Sequence, residues 1–465
     1  MRVVHIASRD VIGGAAIAGY RLHTGLIEMG VSSKMLVDWK ASGDRNVHAL
    51  KRNTSRIATL RRRIGDWYIR RDFDRYRDTT LPTLELLTDD RNASGRDVVA
   101  KLPVADVYNL HWVSGLIDYR LFFAALPQMQ PLVWTLHDMN PFTGGCHYSA
   151  GCERFRSACG ICPQLGSQKS SDLTACIHAR KSAALARLGA ETTRIVAPSR
   201  WMEAQVRSSS LMRKFEILRV PYGLDTNVFA PRDRSVAREV FGIPRDAKVV
   251  LFVAESVANF RKGFDLLLAA TSNGLGNGES AVLVSIGEHN SPQMPPSCIS
   301  LGSLGSARLL SFAYSMADVF VAPARQENLA QVVLEAISCG TPVVGFDVGG
   351  LPDMIRPGLT GLLAPPEDTA TLGNAIATLL QDDTLRSRLS AECRQVALNE
   401  YGLAIQARKY QSIYEDLVQT SQRLRDGLKP RSRLRLPSRQ PPRSHPNKHS
   451  RLHFNTDPRL KVSHW

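Results

Sequence analysis

The sequence predicts an α/β protein built from two parallel-sheet domains in tandem. Three observations carry this. Short apolar runs recur, each ending in a polar or glycine-bearing loop. Segments with helical spacing separate them. A Pro- and charge-rich joint at about residues 226–247 divides the runs into two series. Strands that are apolar throughout are buried on both faces, and helical connections between them make them parallel. At 465 residues, 43% hydrophobic and 22% charged, the chain can bury two such cores.

The first series opens with the strand "RVVHIAS", a loop, and the helical segment "AAIAGYRLHTGLIEMG", which stops at Gly30. "SKMLVDW", "ADVYNLHW", "LVWTLHD", "TRIVAPS" and "FEILRVPYG" read as further strands of the same sheet. After the joint come the strands "KVVLFVAE", "AVLVSIG", "DVFVAPA" and "PVVGFD". The helices "GFDLLLAA", "SARLLSFAYSMA" and "NLAQVVLEAISCG" lie between them. A long amphipathic pattern, "YGLAIQARKYQSIYEDLVQTSQRL", follows.

The net charge of +16 is local. Residues 421–465 carry 12 Lys+Arg against 2 Asp+Glu, and residues 51–77 carry 10 against 3. The tail is rich in Arg, Pro and Ser and too poor in apolar residues to fold, so disorder is expected from residue 425 to 465. With almost no interleaved aromatics it predicts no specific nucleic-acid binding. Within the other basic segment, Ile57, Leu60, Ile64 and Trp67 recur at helical spacing beside Arg61, Arg62 and Arg63. Two readings follow: peripheral contact with an anionic membrane, or a helix packed on the first domain by its apolar stripe. The packed helix is the expectation. No run reaches the roughly 18 apolar residues of a membrane span. "MRVVHIASRDVIGGAA" is too soon interrupted for a signal peptide, so a cytoplasmic protein is expected.

The stretch "ARQENLAQVVLEAISCGTPVVGFDVGG" carries the chemistry. Ligands of parallel α/β sheets sit beyond the C-terminal strand ends, and Glu327 falls just past the strand "DVFVAPA". Asn328 and Leu329 are expected to open the next helix, whose free N–H groups would receive an anion. Glu335 would then lie about 12 Å further along the axis. Arg261 and Lys262, in "FRKGFDLLL", are placed to neutralise a diphosphate. Gly349 and Gly350 permit close backbone approach.

With these residues in view, the chain resembles family-4 retaining glycosyltransferases of the GT-B fold. The resemblance rests on the paired glutamates followed by "AISCGTPVVGFDVGGLPDMI", on "FAYSMADVFVAPARQEN", "FRKGFDLLLAA" and "VPYGLDTNVFAP", and covers most of residues 1–420. "NLHW" and "TLHDMNPFTGGCHYSAGC" are similar to bacterial exopolysaccharide and cell-surface polysaccharide transferases. It implies two Rossmann-like domains facing a cleft: residues 1–228 for the acceptor and 229–400 for a nucleotide-sugar. A helix at 401–424 would cross back to the first domain. The implied activity moves a sugar from a UDP-, GDP- or ADP-sugar to a saccharide or lipid-linked saccharide. A divalent metal is not expected to be required. Glu335 would bind the ribose hydroxyls, Glu327 the donor sugar, and Arg261 with Lys262 the diphosphate. Gly13 and Gly14 would form the opposing loop, with His137, assisted by Asp138, facing the sugar. Two departures stand out. "VAESVAN" replaces a region that often holds a Gly-Arg pair, and Tyr222 stands where asparagine is usual. The alternatives are a non-catalytic glycan-binding or scaffold protein of this fold, and a sugar-nucleotide epimerase.

Smaller signals are read more plainly. "IGGAAIAG" lacks dinucleotide spacing, and Asp72 with Asp74 balances nearby arginines. His111 reads as a structural histidine. Cys146, Cys152, Cys159 and Cys162 cluster in one loop, and the last two form a C-x-x-C step. This set is a candidate structural zinc site.

Overall fold

The computed structural model describes residues 1–81, 83, 86–272, 281–288 and 298–428. The first sheet contains β1 (Arg2–Arg9), β2 (Ser32–Trp39), β3 (Val47–Ala49), β4 (Val107–Leu110), β5 (Leu132–Thr135), β6 (Thr193–Ala197) and β7 (Glu216–Arg219). Its order is β3-β2-β1-β4-β5-β6-β7, with every pair parallel. The second contains β8 (Lys248–Ser256), β9 (Ala281–Glu288), β10 (Cys298–Ser300), β11 (Val319–Ala322), β12 (Val343–Phe346) and β13 (Gly361–Ala364). They run β10-β9-β8-β11-β12-β13, again all parallel. The central strands are apolar because helices cover both faces: β4, β5, β11 and β12 are buried along their whole length.

In both sheets the order reverses beside the first strand, between β1 and β4 and between β8 and β11. Loops diverge at such points and leave a crevice at the C-terminal strand ends. The loop carrying Gly13 leaves β1, and the turn Phe260–Lys262 follows β8.

The final helix, Leu403–Leu428, packs on the first sheet. Ala407, Tyr410, Tyr414 and Leu417 are buried against Val3, Val107, Val133 and Val196. Tyr410 Oη bonds Thr135 Oγ1 at 2.9 Å, and Asn109 Nδ2 donates to Tyr414 Oη at 2.7 Å. Residues 425–428, expected in the disordered tail, continue this helix. Residues 429–465 lie outside the described residues.

The basic segment forms the helix Arg56–Asp74, capped by Ser55 Oγ accepting from Ala58 N at 3.3 Å. It is turned the opposite way from expectation. Ile57, Leu60, Ile64 and Trp67 are 68%, 59%, 48% and 55% exposed, and Tyr68 beside them is exposed too. The inner face is held by ion pairs, Arg62 with Asp97 at 3.2 Å and Asp72 with Arg91 at 2.9 Å. Gly65 adds a close approach, since a Cβ there would stand 2.9 Å from that of Ala93. Polar contacts and a small residue, not the apolar stripe, therefore set the rotation of this helix. Among the described residues no helix is long and apolar enough to cross a membrane.

Candidate active site

Three glycines bring the site together by removing side chains where backbones meet. A Cβ on Gly349, whose φ is +56°, would lie 1.9 Å from the Glu327 carbonyl oxygen, and one on Gly350 would lie 1.8 Å from that of Asn328. The Gly350 N–H donates to Glu327 O at 3.0 Å. Gly263, at φ +72°, is pressed against Pro323 in the same way, its Cβ position 1.9 Å from Pro323 O. The Arg325 N–H donates to Arg261 O at 2.8 Å. The Arg261-Lys262 turn and the segment leaving β11 are thus fixed side by side.

The side chains meet as this backbone directs. Lys262 Nζ is 2.6 Å and Arg261 Nη1 3.0 Å from the same oxygen, Glu327 Oε2. Arg261 also donates to Gln326 O at 2.9 Å. The other oxygen, Glu327 Oε1, accepts from Asn328 N at 3.2 Å and Tyr148 Oη at 3.4 Å. The Tyr148 ring lies under the Arg261 guanidinium at 4.2 Å. Burial alone would raise the Glu327 carboxyl, but Lys262 and Arg261 outweigh it and bring its pKa down to about 2.

Glu335 is held elsewhere. Its Oε1 pairs with Arg21 Nη2 of the first domain at 2.6 Å, and its Oε2 accepts from Tyr314 Oη at 2.9 Å. Arg21 also bonds Gln331 and stacks over Phe229 at 5.1 Å. The helix carrying Glu335 is Gln331–Ser338, so it begins later than expected. Asn328 and Leu329 precede it. Asn328 Nδ2 donates across the cleft to His137 O at 3.1 Å and Leu136 O at 3.3 Å, and its Oδ1 accepts from Ser199 Oγ at 2.7 Å. Leu329 is buried.

On the first domain's side, Gly13 caps the helix Gly14–Glu28 with φ +91°, 3.8 Å from Glu255 Oε2 when a Cβ is added. Gly14 faces open space. Both ring nitrogens of His137 are engaged: Nε2 meets His111 Nδ1 at 3.0 Å and Nδ1 meets Tyr222 Oη at 2.8 Å. Asp138 turns away to His147 Nδ1 at 2.6 Å and Trp112 Nε1 at 2.7 Å. A cavity of about 420 Å³ opens between the domains. Tyr148 and Trp201 line one wall, with their rings near parallel at 16° and 6.4 Å apart. Arg261, Gln326 and Gly349 line the facing wall.

The four clustered cysteines are free thiols. Burial pushes Cys146 up to about 12 and Cys159 to about 11, and the neighbouring cysteines add to both shifts. Cys159 Sγ accepts from Gly144 N at 3.1 Å, while Cys162 packs with Leu165, Leu173 and Ile177. Among the described residues no three His, Cys, Asp or Glu side chains stand in a metal-holding arrangement.

Arg21, Tyr148 and Ser199 were not singled out from the sequence. Each lies more than 100 residues from its partner in the other domain, and no local pattern marks such a contact.

Residues 247–382 match the family described as Glycosyl transferases group 1. A D-inositol 3-phosphate glycosyltransferase of Actinosynnema mirum is 32% identical over 219 residues, 43% of this chain and 52% of that protein. The chain thus spans about half the length of such curated relatives. Among solved structures, Anabaena HepE in complex with UDP and glucose superposes with a TM-score of 0.61 at 14% identity, covering 89% of this chain and 99% of that one. WaaG, a glycosyltransferase involved in lipopolysaccharide biosynthesis, gives 0.59 at 16%, covering 88% and 99%. The fold is GT-B: two parallel-sheet α/β domains across a cleft.

The buried histidines predict a pH dependence. Burial holds His5 and His111 well below 6.5, and His23 and His137 at about 4. The unfolded chain takes up these protons near 6.5 and the folded chain does not. Stability is therefore full above that value and falls as pH drops toward the folded values, by about 1.4 kcal/mol per pH unit for each imidazole. Urea unfolding at pH 7.5, 6.0 and 5.0 should show the midpoint falling steeply below 6.5. A flat profile would contradict the neutral, buried assignment.

Proposed function

We propose that the chain is a retaining glycosyltransferase. It would move a sugar from a nucleotide-diphospho-sugar to a saccharide or lipid-linked saccharide in surface polysaccharide assembly. One observation supports this above the others: Arg261 and Lys262 converge on a single buried carboxylate at the cleft between two parallel-sheet domains. In the transfer, the acceptor oxygen bonds the anomeric carbon as the carbon–phosphate oxygen bond breaks. The electron pair goes to the diphosphate, and the acceptor proton leaves with it. Negative charge grows on the leaving group, and two fixed cations in a partly desolvated site stabilise it. In the absence of substrate Glu327 keeps both cations in place, so little reorganisation is needed when a diphosphate arrives.

Anabaena HepE was solved with UDP, which makes UDP-sugars the first donors to test. WaaG's involvement in lipopolysaccharide biosynthesis supports a surface-glycan acceptor, and the Actinosynnema relative adds inositol phosphate as a second acceptor class. The two alternatives, a scaffold and an epimerase, separate by product. Nucleotide release that requires acceptor supports transfer; binding without release favours a scaffold, and release or sugar isomerisation without acceptor favours an epimerase.

The outward stripe of the helix Arg56–Asp74 supports peripheral contact with an anionic membrane at the cytoplasmic face. Trp67 and Tyr68 pack edge to face at 4.9 Å, with the Arg71 guanidinium 5.2 and 5.1 Å from their ring centroids. Aromatic rings with flanking arginines suit the headgroup level of a bilayer. A structural zinc on Cys146, Cys152, Cys159 and Cys162 is part of the same proposal. Metal analysis of protein purified without chelators decides it: one zinc per chain supports the reading, and four freely titrating thiols with no metal remove it.

Lys262→Ala and Glu335→Gln should each lower kcat/KM for the best UDP-sugar by at least about tenfold, the loss of one charged contact. Full activity in both variants would refute the site. Sedimentation with vesicles containing about a third phosphatidylglycerol should pull down the wild-type chain. The double variant Ile64→Ser, Trp67→Ser should stay in the supernatant, and equal binding by both would discard the docking helix.

A further inference from the structure

Three imidazoles lie in a row inside the first domain, and the ion-pair chemistry above does not use them as a unit. His5 is in β1, His111 follows β4 by one residue, and His137 follows β5 by two. These strands are neighbours, so the row runs across the sheet, one ring per strand. The ring centroids are 5.1 and 5.3 Å apart, close to the spacing between strands. His5 Nδ1 meets His111 Nε2 at 2.9 Å, and His111 Nδ1 meets His137 Nε2 at 3.0 Å. The row ends on Tyr222, whose Oη is 2.8 Å from His137 Nδ1. All four side chains are buried.

Proton counting makes the row act as one object. A neutral imidazole carries one N–H and one bare nitrogen, and each contact needs one hydrogen. All three rings must therefore hold the same tautomer. In one arrangement Tyr222 donates into the row and an N–H is left on His5 Nε2. In the other, every ring donates from Nδ1 toward Tyr222, and a bare nitrogen is left on His5. His5 Nε2 is buried with no hydrogen-bond partner among the described residues. His23, edge-on at 5.7 Å, is engaged elsewhere: its Nδ1 meets Ser33 Oγ at 2.7 Å and its Nε2 stands 3.5 Å from Asp44 Oδ2. Orphaned buried N–H groups are rarer than under-satisfied acceptors. The second arrangement is favoured, and it makes Tyr222 an acceptor from His137, with its own proton directed out of the row.

Tyr222 belongs to the buried cluster that joins Ala18 of the first domain to Leu329 and Ala330 of the second, and the carbonyl of its partner His137 accepts from Asn328 Nδ2, so its hydroxyl lies at the meeting of the two domains. We propose that Tyr222 is a ligand-contacting residue of the cleft, and that His5, His111 and His137 position it by fixing its hydroxyl as a donor. The group it would meet is an oxygen of the nucleotide-sugar, on phosphate or sugar, or a hydroxyl of the acceptor. The identity of that ligand rests on the transferase reading, whereas the shared tautomer does not.

The test has two arms. In protein labelled with ¹⁵N-histidine, the resonances lost in His5→Gln, His111→Gln and His137→Gln should all report the Nδ1–H tautomer at pH 7.5. A mixture, or Nε2–H throughout, overturns the proposal whatever the protein's activity. In the second arm, titration with UDP-glucose and steady-state kinetics are compared for wild type, Tyr222→Phe, His5→Gln and the double variant. Tyr222→Phe should lose at least about tenfold, in donor Kd if the donor is the ligand or in acceptor KM if the acceptor is. His5→Gln should lose several-fold in the same parameter, and in the Tyr222→Phe background it should lose nothing further. Additive losses, or a Tyr222→Phe protein equal to wild type, overturn the positioning role. A wild-type chain that binds no sugar nucleotide refutes the transferase reading instead and leaves the tautomer arm to judge the row.

Discussion

The site depends on one buried carboxylate held by two cations. Glu327 is 7% exposed, and removing its charge from water is costly unless that charge is matched. Lys262 and Arg261 match it on one oxygen, with Asn328 N and Tyr148 Oη on the other. The same contacts define where the cations point. An arginine and a lysine on a short turn would otherwise sample many rotamers, and a diphosphate would have to order them on arrival. The ion cluster transfers that ordering to folding.

The cluster also joins the domains. Tyr148 reaches Glu327 from the first domain, Asn328 reaches back to the carbonyls of Leu136 and His137, and Arg21 pairs with Glu335. Each acid of the pair is therefore a point of contact between domains as well as a candidate ligand group. Opening the cleft would separate Arg21 from Glu335 and leave two buried charges to rehydrate. The closed arrangement described here is what these pairings favour. A nucleotide using the Glu335 carboxylate must share it with Arg21 or replace it, so ligand binding and domain closure draw on the same groups.

The outward helix shows the limit of pattern reading from the other side. Its period of apolar residues was legible, and so was its basic character. The direction of the stripe was not. A periodic pattern says that one face differs from the other; it does not say which face meets the domain. Here the choice fell to Arg62, Asp72 and Gly65, whose partners Asp97, Arg91 and Ala93 lie 19 to 35 residues away in the chain.

By itself the sequence determined the two parallel sheets, because unbroken apolar strands and helical connectors leave few other ways to bury them. It also marked Glu327, Arg261, Lys262 and the Gly349-Gly350 pair, since each stands next to a strand end that must face the crevice. Tertiary structure alone decided what those groups touch. Glu335 met Arg21, His137 joined a row of imidazoles through one nitrogen and Tyr222 through the other, and the helix after Glu327 began at Gln331 instead of Asn328. Local spacing fixes which residues share a loop or a face. Partners more than 100 residues apart are set by how the two sheets twist and close, and that is a property of the whole packed chain.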